Sequence, residues 1–162
     1  VMDEVGVDAT RFFFVMRKSD SHLDFDLELA KQSSNENPVY YVQYAYARIR
    51  SVLREAESRG VAVPAVDRLD VSALRLEEEK RLMARLAAFP EEIDKASREL
   101  APHVLTAYAL DLAGDFHSFY NACRILGSDE GVMESRLLLV AASGIVLSTA
   151  LSLLGVAAPE RM

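Results

Sequence analysis

One cysteine, three histidines and no surplus of basic residues leave this sequence short of most of the raw material of catalysis. Cys123 has no partner for an internal disulfide and lies in an apolar helical pattern. The chain must therefore hold together by its core, and a reducing compartment, the cytoplasm, is its expected address. No second thiol or histidine stands at metal-ligand spacing from Cys123, and His22, His103 and His117 are far apart. A glycine-rich phosphate loop, a GxSxG elbow and an HExxH zinc pair are all missing. The expected catalytic set and metal set are both empty, which leaves a part that binds or braces. A formal net charge of −7 argues against a general nucleic-acid binder, which is usually basic. There is no strand-rich block, internal repeat or low-complexity run. No basic, then apolar, then small-residue leader opens the chain. The longest apolar stretch, 132–154, is interrupted by Glu134, Arg136 and several serines, so it is expected to be a buried core helix with no membrane partner.

What is there describes a globular helical protein. With 162 residues, 51% of them hydrophobic and 27% charged, the chain can bury a core of its own as one domain, or one domain plus an accessory piece. Val1 is no initiator and "VMDEVGVD" begins partway through an apparent helix end, so a longer upstream chain is expected. "GVAAPERM" carries Gly155 and Pro159, which stop the preceding helix and leave a short polar tail of the kind that ends a protein.

Residues 1–34 read as an entry segment. Asp8 is placed to cap "ATRFFFVMRK", and Leu23 and Phe25 alternate against acids in a short extended piece. Residues 35–162 read as the helical domain. Its first helix is expected over 38–59, with Asn35 or Asn37 as cap, Pro38 in the first turn and Gly60 as the left-handed stop. "VAVPAVDRLDVSAL" lacks a sustained period and forms a surface loop. From Glu77 on, Pro90, Pro102 and "GSDEG" punctuate four more helices, each with an apolar stripe. The fold class is therefore all-α, a helical bundle with a short extended entry. The run "RLEEEKR" reads as a solvated face with i,i+4 pairs such as Glu77 with Arg81. Asp20, His22, Asp24 and Asp26 look like a metal cluster in composition alone, since acids spread along an extended segment more often cap helices and pair with surface cations.

Two helices carry an unusual rim. On the helix from Pro38, a turn of about 100° per residue puts Val42, Ala45, Ile49, Val52, Leu53 and Ala56 on the core face and Tyr41, Tyr44 and Arg48 on its flank. Gln43, Ala47 and Arg54 fall further round. After Pro102 the construction recurs: Val104, Leu105, Tyr108, Leu112, Phe116, Phe119 and Cys123 face inward, and Ala113, His117, Tyr120 and Arg124 gather at the edge. Rings interleaved with arginines suit an unstacked nucleobase, each stack being worth about 1–3 kcal/mol, and arginine neutralises phosphate. The first helix is locally basic, with four arginines against two glutamates. Two plainer readings stand beside this one: amphipathic tyrosines at a core edge with their hydroxyls in water, and a module that docks proteins through its apolar rim.

The stretch "DEVGVDATRFFFVMRKSDSHLDFDLELAKQSSNENPVYYVQYAYARI", continued by "FHSFYNACRIL" and the terminal "APERM", closely resembles bacterial arginyl-tRNA synthetases over essentially the whole chain. The cysteinyl enzyme and the glycyl enzyme's β subunit share such a helical domain, and "NENPVYYVQYA" favours arginine by resemblance. The likeness implies the C-terminal anticodon-binding (DALR) domain of a class I ligase that joins arginine to tRNA(Arg) with ATP and Mg. Those cofactors would act in a catalytic domain whose HIGH- and KMSKS-type signatures do not occur here, and the parent would be a monomer. It also implies anticodon-binding roles for Tyr41, Tyr44, Arg48, Tyr120, Arg124 and Met162, with Gln43 or an arginine addressing a base edge. "YAYAR" stands where the family usually reads "YAHAR", so Tyr46 departs from the pattern. Every arginine codon has G in the middle, so only the middle anticodon base, always C, can be read stringently. Arg11, Phe12, Phe13 and Phe14 would rest against the catalytic domain and be exposed without it.

Overall fold

Asn37 begins the element around which the molecule is organised. Its side-chain oxygen accepts from the Val39 N–H at 3.2 Å, and its amide nitrogen donates to the carbonyls of Ala30 and Gln32 at 3.1 and 2.8 Å. One buried side chain thus starts a helix and fixes the chain leading into it. In this computed structural model, which describes every residue except Val1, Ser19, His22, Leu23 and Leu69, the helices are α1 (Met2–Val15), α2 (Leu27–Lys31), α3 (Pro38–Ser58), α4 (Glu77–Ala87), α5 (Phe89–Arg98), α6 (His103–Ala122) and α7 (Glu130–Leu153). Pro38 takes the first turn of α3, and Gly60 at φ 71° ends it. The expected loop between α3 and α4 holds two short 3₁₀ turns, Val66–Arg68 and Val71–Ala73.

Helix α6 is the axis of the core. Ala109, Leu112, Phe116 and Phe119 are fully enclosed, with α3, α4, α5 and α7 all packed against the helix that carries them. Helix α7 packs tightly on α3 at Gly144, where an added Cβ would meet Ile49 Cγ2 at 3.0 Å. By length and composition α7 could cross a membrane, but half of its apolar window is buried inside the fold, as expected of a core helix.

Two expectations need correcting. Of the cluster at 11–14, Arg11 and Phe14 are exposed, Phe14 at 53%, but Phe12 and Phe13 are not. Phe12 and Phe13 belong to the common core, because α1 packs across α3 and α6. The "RLEEEKR" run is not uniformly solvated either. Glu79 is wholly buried, accepting from Arg136 Nε at 2.6 Å and from the Leu76 N–H at 2.8 Å, while Glu77 pairs with Lys80 and not with Arg81. With leucine at the N-cap, only the glutamate half of a capping box is made. In the supposed metal cluster, Asp26 caps α2 by accepting from the Leu29 N–H, and His22 lies outside the described residues.

The polar tail is strapped down. Arg11 Nη1 donates to the Gly155 carbonyl at 2.7 Å, Arg54 donates to the Glu160 carbonyl at 3.1 Å, and Arg50 pairs with the Glu160 carboxylate at 3.0 Å. Asp8, expected as a cap, instead accepts from the Ala157 N–H at 3.2 Å and from Gln43. The tail therefore runs along the outer side of α3, and Ala47, expected near solvent, is buried.

Candidate nucleic-acid interface

Arg48 projects from the middle of α3 into a gap bordered by α6. Its Cζ lies 4.7 Å from the ring centre of Tyr44, one turn earlier on α3, and 4.6 Å from that of Tyr120 on α6. The guanidinium is thus held between two aromatic faces. Nη2 donates to the Tyr44 hydroxyl at 2.9 Å, and the Tyr44 ring lies nearly parallel to Tyr40, 7° between planes and 6.0 Å between centres. Tyr120 remains 38% exposed and Tyr44 partly so, which leaves the pile open on one side to solvent.

His117 closes the other side. Arg48 Nη1 lies 3.1 Å from its Nδ1. A guanidinium has only donors, so Nδ1 must accept and the ring proton sits on Nε2, an enclosed atom with no hydrogen-bond partner among the described residues. Burial first, and the Arg48 charge second, lower the His117 pKa to about 4, against a weaker opposing pull from the Tyr41 backbone. A depressed basic pKa favours the neutral ring in the folded state. Its contribution to stability is complete above pH 6.5, the ordinary value, and is lost as pH falls through about 4. His117→Asn, which keeps an acceptor but does not titrate, should therefore lose less melting temperature than wild type between pH 7 and pH 4.5. The expected difference is roughly 2–4 °C, what about 1 kcal/mol amounts to in a domain of this size. Equal losses would show that His117 is not the titrating group of this seam.

Two clefts flank the Tyr44–Arg48 wall. One, of about 380 Å³, is lined by Asn35, Tyr41, Gly114, His117, Ser118 and Asn121. Its lining is polar, except that Tyr41 packs its ring 4.9 Å from His117, and burial raises the Tyr41 phenol pKa. The other, of about 420 Å³, is bounded by Ala47, Ser51, Arg54, Tyr120, Arg161 and Met162. The strap on the tail is what brings Arg161 and Met162, the latter 52% exposed, to the cleft that Tyr120 also borders.

Of the residues expected here, Tyr41, Tyr44, Arg48, Tyr120 and Met162 are brought together, and Gln43 and Arg124 are not. The Gln43 amide donates to Asp8 Oδ2 at 2.9 Å and to the Ala157 carbonyl at 3.0 Å, facing the tail and not the clefts. Arg124 follows the end of α6, because Cys123 turns extended at φ −113° and ψ 124°, and its guanidinium lies over Gly127. Helical spacing cannot be carried past that break. Tyr46 packs against the core, away from both clefts. Residues not assigned in advance are Tyr40, Asn35, Asn121 and Arg161, together with His117, which the α6 periodicity had put on the correct edge without a task. No group of three metal-binding side chains converges among the described residues.

The family model described as the DALR anticodon binding domain matches residues 42–162. Over all 162 residues the chain is 56% identical to an arginine–tRNA ligase of Carboxydothermus hydrogenoformans and 55% identical, over 163, to one of Desulforudis audaxviator. It spans 29% of the length of each. The arginyl-tRNA synthetase structure from Thermus thermophilus superposes with a TM-score of 0.83 at 36% identity, covering 98% of this chain and 27% of that one.

Proposed function

Because this chain belongs to the DALR anticodon-binding domain family, we propose that it grips the anticodon loop of tRNA(Arg) for an arginine–tRNA ligase. The observation that carries this reading is the solvent-facing pile of Tyr40, Tyr44, Arg48 and Tyr120, with polar clefts on both sides. A base extruded from the loop stacks on the exposed ring faces, and Arg48 and Arg161 meet the neighbouring phosphates. Cytosine offers one donor and two acceptors on its pairing edge. Since Gln43 is committed elsewhere, the amides of Asn35 and Asn121 are the groups that address that edge. Net charge is −7, so affinity comes from this local site and not from a general basic field.

The reaction with arginine, ATP and Mg belongs to the rest of the ligase, which works as a cytoplasmic monomer. The exposed apolar residues Val7 and Phe14 on α1, with Leu100 nearby at the end of α5, are the surface on which that catalytic part rests. The test is direct. With the full-length protein, tRNA(Arg) transcripts in which the middle anticodon C is replaced by each other base should bind about fivefold to a hundredfold more weakly, since discrimination against a wrong base is worth about 1–3 kcal/mol. Equal binding of all four transcripts would end the anticodon reading. No binding of any of them would favour a protein-docking module.

A further inference from the structure

The side chain expected to read RNA is instead part of a clip on the protein's own backbone. Ala157 is gripped at both of its peptide groups: its N–H donates to Asp8 Oδ1 at 3.2 Å and its carbonyl accepts from Gln43 Nε2 at 3.0 Å. Gln43 Nε2 also donates to Asp8 Oδ2 at 2.9 Å, closing a ring of three groups drawn from α1, α3 and the tail. Asp8 and Ala157 are separated by 149 residues, and Gln43 and Ala157 by 114, so no local backbone pattern produces this arrangement. Beyond the clip, five residues lead to Met162 in the cleft beside Tyr120.

We propose that Asp8 and Gln43 are positioning residues that set the register of the C-terminal tail, and so couple the placement of α1 to the shape of the RNA-facing cleft. The proposal rests on the anticodon reading but concerns a different part of the molecule. Loss of the clip leaves Val156 in the core, while Arg161 and Met162 lose their fixed reach. The coupling runs both ways: a ligand that orders the tail favours the α1 position that Asp8 defines.

The chemistry of the clip gives it a distinctive signature. Gln43→Glu replaces the one side-chain donor in the ring with an acceptor, setting two carboxylates and the Ala157 carbonyl face to face at neutral pH, with the Ala157 N–H still donating to Asp8. Paired carboxylates raise one another's pKa, so acidification returns a shared proton and with it a donor. The charged groups around the ring are Arg11, held at Gly155, and Arg50 and Arg54, held at Glu160. The arginines stay cationic throughout, and Glu160 is ion-paired with Arg50. Gln43→Met removes the donor without supplying a proton-binding group.

In the full-length protein, deuterium exchange of the peptide covering 155–162, expressed as protection relative to the unstructured rate at each pH, reads the clip. tRNA(Arg) affinity relative to wild type reads its consequence. Gln43→Glu should lower protection roughly tenfold at pH 7.5, what loss of about two modest hydrogen bonds implies, and weaken tRNA binding by several-fold. Both effects should shrink at pH 5.5, and those of Gln43→Met should not. Asp8→Asn, which sets an amide against a donor, should repeat the neutral-pH result and serves if Gln43→Glu does not fold. Unchanged tail protection in Gln43→Glu and Asp8→Asn would overturn the clip, and so would a loosened tail with undiminished tRNA binding while Arg48→Ala weakens it. Should Arg48→Ala also leave tRNA binding unchanged, the anticodon reading is what has failed, and the protection data still decide the clip.

Discussion

Replacing Arg48 by alanine in the full-length protein is expected to weaken tRNA(Arg) binding between about tenfold and a hundredfold, the range of one lost stack with its phosphate contact. The guanidinium is the centre of the site: ring centres lie 4.7 and 4.6 Å from its Cζ, and its nitrogens hold the Tyr44 hydroxyl and His117 Nδ1. Without it, Tyr44 and Tyr120 lose the group that lies between them, and the positive charge beside the cleft is gone. Arg48→Lys separates these contributions. An ammonium restores the charge, hence most of the salt dependence, but has no flat face to lie between two rings. Filter binding over a range of salt should therefore show Arg48→Ala losing roughly 0.7–0.9 from the slope of log K against log salt, with Arg48→Lys recovering the slope but not the affinity. A lysine variant equal to wild type at every salt concentration would reduce Arg48 to a point charge and remove the stacking argument.

The second large effect lies in the core. Arg136→Ala should destabilise the fold by about 3–5 kcal/mol, because it leaves Glu79, fully enclosed, without its cationic partner. Arg136 also donates to the Arg124 carbonyl at 2.7 Å, tying α7 to the segment just past the end of α6. The control is the double replacement Glu79→Leu with Arg136→Met, which removes both charges and keeps volume. It should recover most of the loss, since an ion pair in a dry site gains little over apolar packing. Urea unfolding of wild type, the single variant and the double variant gives the comparison. A single-variant cost under about 1 kcal/mol would mean that Glu79 finds water or another donor when Arg136 is gone. tRNA affinity, measured where all three are folded, should change little, because neither residue borders the clefts.

These two predictions stand on residues of very different legibility. Arg48 was placed correctly from spacing alone: Tyr41, Tyr44 and Arg48 share a flank at helical intervals, and the cap at Asn37, Pro38 and the stop at Gly60 fix where that helix starts and ends. Tyr120 on α6 followed from the same periodicity. Glu79 was invisible, since in "EEEKR" it differs in nothing local from Glu77 and Glu78, and only the arrival of Arg136, 57 residues on, makes it a buried partner. Arg124 failed for a local reason: its backbone leaves the helix at Cys123, and an apolar period gives no warning of that exit.

By itself the sequence determined an all-α chain, both ends of α3, the apolar stripes of the core, and a flank of rings and guanidinium groups on two of its helices. Caps, stops and periods of 3.6 residues are short-range properties, written within a few positions of where they act. Which polar groups remain free to meet a ligand was decided only by the tertiary structure, which spends Gln43 on Asp8 and the tail, sets His117 behind Arg48, and carries Met162 to the cleft that Tyr120 also borders. A side chain's hydrogen bonds go to whatever the fold brings within about 3 Å, and a partner more than a hundred residues away leaves no mark on its neighbours in the chain.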